Sequence, residues 1–298
     1  MSLFDRLVDT ALANLPDLAP LRVVVEKELL HHDIMLTLSS AGLLARLTFI
    51  GGTCLRTCYG SNRLSEDLDF TGGADFSRDT LAALARVLVD TLKGKYGLEV
   101  EVSEPTKESG KVDTWKLKIR TRPQSPDLPA QRINIDVCAI PSYLAQPSLL
   151  LNPYGVDMGT SGLIVQAESR EEIYLDKIVA FALRAGRIKN RDLWDLLWLR
   201  QQGVAPAWQL LERKLADHRC TSADFLGAFA QRTTLLAEDP AVASDFRKEM
   251  SRFLPTHLVT ATVNEPAFWK VLVRHLQDLN TQVYRQLGPA NTEPAFLM

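Results

Sequence analysis

The sequence predicts an α+β chain, with a mixed α/β first part and a helical second part. Three observations point there. Short runs that alternate apolar and polar residues recur between residues 47 and 138, the period-2 signature of half-buried strands. From Glu171 almost to the end, apolar residues recur at helical spacing and no strand signal of comparable strength appears. The change of character near residue 168 divides the chain into residues 1–168, a mixed core with N-terminal helices, and residues 169–298, a helical domain.

Taken in order, Leu21 to Leu47 carries Val24, Leu29, Leu36, Leu43 and Leu44 among charged residues, which predicts a long helix broken near Ser39, Ser40 and Gly42. Leu47 to Ile50 is a short apolar run ending at Gly51-Gly52, followed by Thr53 to Tyr59, and reads as strand, glycine turn and helix start. Leu68 to Thr71 predicts a second short strand. Leu81, Leu84, Leu88 and Leu92 predict a helix over Phe76 to Tyr96, with Ser77 or Asp79 as cap and Gly97 as stop. Strands follow at Leu98 to Ser103, around Trp115, Leu117 and Ile119, and around Ile133, Ile135 and Val137. Pro123, Pro126 and Pro129 make Arg122 to Ala130 a loop. The second part predicts helices at Glu171 to Ala185, Arg191 to Gln202, Ala207 to His218, Ser222 to Glu238 and Asn264 to Leu287.

Thirty-four Lys and Arg against 36 Asp and Glu leave a formal charge of -2, so no global field draws this chain onto nucleic acid. An apolar fraction of 46% and a charged fraction of 23% are those of an ordinary globular chain and exclude wholesale disorder. Asp5, Arg6, Asp9 and Asp17 interrupt the first twenty residues, so they do not read as a secretory signal, and no uninterrupted apolar run is long enough to span a membrane. Cys54, Cys58, Cys138 and Cys220 do not read as a disulfide framework, and a reducing cytoplasm is the expected location. Cys54 and Cys58 share a helix face, but with no second Cys or His pair close by they read as structural thiols rather than zinc ligands.

The stretch richest in chemistry is Phe49 to Phe70, FIGGTCLRTCYGSNRLSEDLDF. Asp67 and Asp69 stand two apart in a predicted strand and so share a face, while Leu68 and Phe70 point into a core. Two carboxylates side by side repel unless a cation lies between them, and oxygen ligands suit Mg²⁺ or Mn²⁺. The bland alternative is turn chemistry, with Ser65 and the aspartates facing water. Upstream, Gly51-Gly52-Thr53 offers a side-chain-free backbone and a helix N-terminus, a combination that admits phosphates closely.

At these residues the chain resembles the nucleotidyltransferase fold and, more closely, the AbiEii/AbiGii toxin family that includes the MenT toxins. That family carries G-G/S-T, a spacer, then R-x-S-x-D-L-D-F. Here the matching residues are Gly51, Gly52, Thr53, Arg63, Ser65, Asp67, Leu68, Asp69 and Phe70. Many nucleotidyltransferases have G-S where this chain has Gly51-Gly52, so a phosphate-binding hydroxyl from this region is that of Thr53 or Ser65. The resemblance implies a polymerase-beta-like mixed-sheet core with a C-terminal helical domain.

A second constellation, EEIYLDKIVAFALRAGRIKNRDLWDL from Glu171 to Leu196, looks like the family's Lys-bearing helix and R-D-L-x-D-L motif, with Lys177, Arg191, Asp192 and Asp195. Independently of the family, Lys177 and Arg184 are seven apart and share a helix face, and Asp192 and Asp195 fall in the first turn of the next helix. There they could merely complement the helix macrodipole, with Lys177 a solvated charge. Asp136, in the run Arg132 to Val137, stands on the polar face of a later strand and is either a third metal ligand or a plain exposed carboxylate.

The resemblance implies transfer of a nucleotide from an NTP, with Asp67, Asp69 and Asp136 holding Mg²⁺ or Mn²⁺ and Lys177 offering positive charge to the phosphates. Asp192 would hold Lys177 or assist proton removal, and Gly51, Gly52, Thr53, Arg63 and Ser65 would bind the nucleotide. The implied acceptor is RNA, typically the tRNA 3′ end, and the implied partner is a cognate antitoxin. Two rivals use the same residues: transfer to a small molecule such as an aminoglycoside, and a catalytically silent nucleotide-binding protein.

The sequence also offers two locally basic segments. Lys107 to Arg122 has Lys107, Lys111, Lys116, Lys118, Arg120 and Arg122 against Glu108 and Asp113. Arg184 to Arg200 has Arg184, Arg187, Lys189, Arg191 and Arg200 against Asp192 and Asp195. They could hold an RNA backbone or simply be solvated charges on strand and helix faces. Trp194 and Trp198, four apart, read as core rather than a base-stacking platform, and His31 and His32 as ordinary surface or packing residues.

Overall fold

Serine and proline set the start of the chain in the computed structural model, which describes residues 2–106, 112–122 and 129–288. Ser2 and Asp5 form a reciprocal capping box that opens helix α1 (Leu3–Asn14), and Pro16 and Pro20 confine the next residues to a 3-10 turn. Helix α2 (Arg22–Ser40) follows and stops before Gly42, whose φ of +72° no helix accommodates. Thirteen of its 19 residues are buried, including Glu26, Glu28, His31, His32 and Asp33, so it is a largely interior helix, with Val23 and Lys27 on its narrow outer edge. Its acids are tied down individually: Glu28 accepts from Ser65 N at 2.7 Å, Arg56 Nε at 3.1 Å and the Tyr154 hydroxyl, while Asp33 accepts from Lys95 and Tyr96.

Strand β1 (Thr48–Ile50) runs straight into helix α3 (Gly51–Tyr59), and strand β2 (Leu68–Thr71) returns antiparallel to β1 with Phe49 facing Phe70. The helix predicted over Phe76 to Tyr96 splits in two. Its first residues are held by the i to i-3 bonds of a 3-10 turn at Arg78–Leu81, and α4 proper is Leu84–Tyr96. Neither Ser77 nor Asp79 caps it, because the N-cap position falls on Ala83, whereas Gly97 stops it in the left-handed region.

Strands β3 (Glu99–Ser103), β4 (Val112–Arg120) and β5 (Gln131–Cys138) form an antiparallel meander at the predicted places. Two further strands, β6 (Ala145–Leu149) and β7 (Ile164–Glu168), carry no clear sequence signal. β6 is an edge strand containing Pro147 and is exposed along most of its length, so no buried face imprints an alternation on it. The seven strands form one mixed sheet in the order β3-β4-β5-β2-β1-β7-β6, with β2 parallel to β5, β1 parallel to β7 and the other pairs antiparallel. Trp115, Leu117, Ile119, Ile133, Ile135 and Val137 bury one face of β4 and β5 and leave Thr114, Lys116, Asn134 and Asp136 on the other. Of the predicted proline loop, Pro129 is described, and Pro123 and Pro126 lie outside the described residues.

The helical part comprises α5 (Arg170–Leu183), α6 (Asn190–Gln201), α7 (Leu211–Asp217), α8 (Ser222–Glu238), α9 (Pro240–Met250), α10 (Thr256–Ala261) and α11 (Pro266–Leu287). α9 and α10 are additions to the predicted set, and the helix predicted from Ala207 opens as a 3-10 turn at Trp208–Leu210. Trp194 and Trp198 are both core, Trp194 stacking on Phe268 at 5.7 Å between ring centroids. Cys54 and Cys58 are buried free thiols, and His31 and His32 are buried, bonded to the Glu66 carbonyl and the Thr160 hydroxyl. Among the described residues, no helix is long and apolar enough to cross a membrane.

Candidate active site

The turn between β1 and α3 is shaped by two glycines with different tasks. Gly51 adopts φ +77°, which L side chains rarely accept, and a Cβ there would lie 3.0 Å from Asp69 Oδ2. The Asp69 carboxylate therefore rests against bare backbone at the N-terminus of α3, where unpaired amides favour negative charge. At Gly52 a Cβ would lie 2.0 Å from Arg63 Nη2, so this position leaves room for a buried guanidinium. Beneath the turn, Thr53 donates to the Asp67 carbonyl, and its hydroxyl lies 2.6 Å from that of Ser65. Both residues are buried, and these bonds hold the ends of the Gly51–Asp69 loop together.

Two carboxylates share one rung of the sheet and a third stands just before it. Asp69 on β2 is in register with Asp136 on β5, while Asp67 precedes β2 and accepts from Asn134 N at 3.0 Å. Thr114 on β4 faces Asp136 and donates to it at 2.6 Å. Burial raises the Asp69 carboxyl above its usual range and the Asp67 charge adds to the rise, against the pull of Lys189 and Lys177. Asp136 is raised in the same sense, by burial and by the charges of Asp69 and Asp67. The donors are hard oxygens crowded with like charge, a set that fits Mg²⁺ or Mn²⁺.

Opposite them lies a buried charge network. Lys177 on α5 reaches Asp192 Oδ1 at 2.5 Å and Asp195 Oδ2 at 3.0 Å. Asp195 also takes Arg63 in a two-pronged pair, with Nε at 2.5 Å and Nη2 at 2.6 Å, and Arg184 reaches Asp192 at 3.0 Å. Burial opposes the charges here and the partners outweigh it: Lys177 is held above its ordinary pKa, and Asp192 and Asp195 below theirs. Lys177 is thus no solvated charge. Because α6 begins at Asn190, Asp192 occupies its first turn and Asp195 its second.

Gly51, Asp67, Asp69 and Asp136 gather on one face, with Lys177 and Asp192 beside them, joined through Asp195 and Arg63 to Gly52. Thr53, Ser65 and Arg63 lie one layer below, their polar groups already bonded within the protein. Two residues outside the predicted site also face it. Asp195 is the keystone of the network, signalled by its place in the R-D-L-x-D-L motif. Lys189, half-buried just before α6, has no carboxylate within 4 Å among the described residues, although its charge acts on Asp69 and Asp136. Burial lowers its pKa and the nearby Lys177 and Arg191 add to the fall.

Residues 33–274 match the family described as nucleotidyl transferase AbiEii toxins of type IV toxin–antitoxin systems. The chain belongs to that family. As an AbiEii protein it is a nucleotidyltransferase and the toxin of a type IV pair, a class that works on nucleoside triphosphates with a divalent metal and has a cognate antitoxin. No curated protein matches it by sequence. Among solved structures it is similar to MenT4, a nucleotidyltransferase toxin from Mycobacterium tuberculosis H37Rv, with a TM-score of 0.57 and 18% identity over 95% of this chain and 92% of that one. JHP933 from Helicobacter pylori aligns with a TM-score of 0.44 and 16% identity over 88% of this chain and 94% of that one. The likeness to MenT4 shows the fold.

Another acidic cluster lies among the described residues of the AbiEii chain. Glu168, Glu172 and Asp176 are the trio of carboxylates whose oxygens come within 4.8 Å of one another among the described residues, a closeness that the Asp67, Asp69 and Asp136 oxygens do not reach. Lys214, itself buried, fills that cluster at 2.7 Å from Glu172 and 2.9 Å from Asp176. Lys214 offsets part of the cluster's charge and ties α7 to α5, while burial raises the Glu168 and Asp176 carboxyls above their usual range.

Proposed function

We propose that this toxin transfers a nucleoside monophosphate from an NTP to an RNA acceptor, the 3′ end of tRNA, in the cytoplasm, and so blocks translation until its antitoxin intervenes. The observation that carries the reading is the register of Asp69 with Asp136 beside Asp67, set against the Gly51 backbone. In this reading Asp67, Asp69 and Asp136 hold Mg²⁺ or Mn²⁺, which when bound neutralises triphosphate charge and lowers the pKa of the acceptor hydroxyl.

The chain's own groups do the rest. The backbone at Gly51 and Gly52 brings the positive end of α3 to the phosphates, and Thr53 and Ser65 keep that turn in shape. Lys177 and Lys189 set a positive potential where negative charge spreads in the transition state. Asp192, held below the ordinary carboxylate range, is a poor proton acceptor, so its part is to position Lys177 and Arg184. The chain divides near residue 168 in this scheme, the first part bearing the carboxylates and the second the cations.

The test is transfer of label from each α-³²P NTP to total tRNA with Mg²⁺, read on a denaturing gel, with aminoglycosides offered in parallel. Asp67→Ala and Asp69→Ala are expected to abolish transfer while circular dichroism stays native. Full activity in either variant, or label on the aminoglycoside alone, overturns the reading.

A further inference from the structure

We infer that a cationic groove beside the carboxylates holds the sugar-phosphate backbone of the acceptor RNA, an assignment that rests on the RNA-acceptor reading above. Two adjoining cavities, of about 440 Å³ and about 320 Å³, share Glu66 and Arg252 and form one continuous trough. Eight cationic side chains line it against three acidic ones, in a chain whose net charge is -2. The excess is local, as a site for a polyanion requires and a uniformly solvated surface does not.

Part of that charge is already spent. Lys27 pairs with Glu66 at 2.8 Å, Arg191 lies 3.6 Å from Glu249, and Arg122 is bound to the buried Glu26. Arg120 is also taken, by Glu99 at 3.1 Å. Arg132, Arg187, Lys248 and Arg252 remain: all four are exposed, and none has a carboxylate within 4 Å among the described residues. They come from β5, the turn before α6, α9 and the turn after α9, so only folding brings them to one trough.

The trough leads to the carboxylates by two routes. Arg132 shares a face of β5 with Asn134, whose amide binds Asp67, and with Asp136. Glu66, at the waist, immediately precedes Asp67, and Arg191 immediately precedes Asp192. A strand whose phosphates follow the four free cations therefore passes beside Asp67 and Asp69. Of the two basic segments seen in the sequence, Lys107 and Lys111 lie outside the described residues, and Arg200 is turned away onto Asp278.

The test is fluorescence anisotropy of 5′-labelled tRNA, its 3′ end free, with the full chain across 50–200 mM salt. Each of Arg132→Ala, Arg187→Ala, Lys248→Ala and Arg252→Ala is expected to lower the slope of log K against log salt by about 1. The triple reversal Arg132→Glu/Lys248→Glu/Arg252→Glu should weaken binding on the order of 100-fold at 0.1 M salt. NTP affinity in the presence of Mg²⁺, measured by calorimetry, should stay unchanged, as should RNA binding by Lys270→Glu/Arg274→Glu on α11. An unchanged salt slope in the triple variant, loss of NTP rather than RNA binding, or an equal effect of the α11 reversals overturns the assignment. Tight, groove-dependent RNA binding without transfer of label would uphold the groove and fault the acceptor reading instead.

Discussion

Replacing Asp195 with asparagine removes one charge from the centre of the buried network. Asp195 is fully buried and holds two cations at once, Arg63 at 2.5 and 2.6 Å and Lys177 at 3.0 Å. Arg63 has no route to water, because its guanidinium fills the space beside Gly52 and its Nη1 donates to the Leu64 carbonyl at 3.1 Å. In Asp195→Asn two buried cations would share the single charge of Asp192, and the amide would turn a donor toward one of them. Breaking one side of a buried pair in this way costs about 3–5 kcal/mol. For a chain of this size, at about 2 °C per kcal/mol, Tm falls by about 6–10 °C. Equilibrium urea unfolding of wild type, Asp195→Asn, Asp195→Leu, Arg63→Met and Arg63→Met/Asp195→Leu measures it, the additivity cycle using the Asp195→Leu single variant. The double variant should be more stable than the sum of the single losses by about 1.5 kcal/mol or more, since it leaves no orphaned charge between the pair. A loss under about 1 kcal/mol in Asp195→Asn, or strict additivity, would refute the claim that this carboxylate holds the site together.

Two other outcomes follow from the geometry. Gly51→Ala and Gly60→Ala share the same backbone strain, φ +77° and +73°, worth about 1–2 kcal/mol in unfolding measurements, but only the first places a methyl 3.0 Å from Asp69 Oδ2. Transfer should therefore collapse in Gly51→Ala and persist in Gly60→Ala, and equal activities would show that the turn does not shape the carboxylate. Burial, with the charges of His31 and Arg200 respectively, lowers buried His32 and His275 from 6.5 to about 4, so the unfolded chain binds more protons between those values. Stability should then be fully present above about pH 6.5 and fall as pH drops toward 4, by about 2 kcal/mol per histidine at pH 5. Urea midpoints that stay flat from pH 7.5 to pH 5 would contradict this.

Much of the fold was legible because strands and helices leave local periodicities. The alternation through Trp115, Leu117 and Ile119 marked β4, and Gly97 marked the end of α4. β6 and β7 were not legible, since an exposed edge strand with Pro147 has no reason to alternate. In the site, Asp67, Asp69, Lys177 and Asp192 were visible as short motifs on single elements. The buried positions of Thr53 and Ser65 were not, because whether a hydroxyl meets a ligand or the Asp67 carbonyl depends on what packs over it.

Spacing within the chain was therefore enough to place two aspartates at the start of one strand, Asp69 within it and Asp67 just ahead of it, a glycine turn at the head of a helix, and a Lys-bearing helix ahead of an Asp-bearing one. It could not pair Asp69 with Asp136, 67 residues away, or Arg63 with Asp195, 132 residues away, nor gather Arg132, Lys248 and Arg252 into one trough. Local periodicity reports only which way a side chain points from its own element. Charges act over a few ångströms of space whatever their separation in sequence, so their partners, protonation and exposure are settled only when the elements dock.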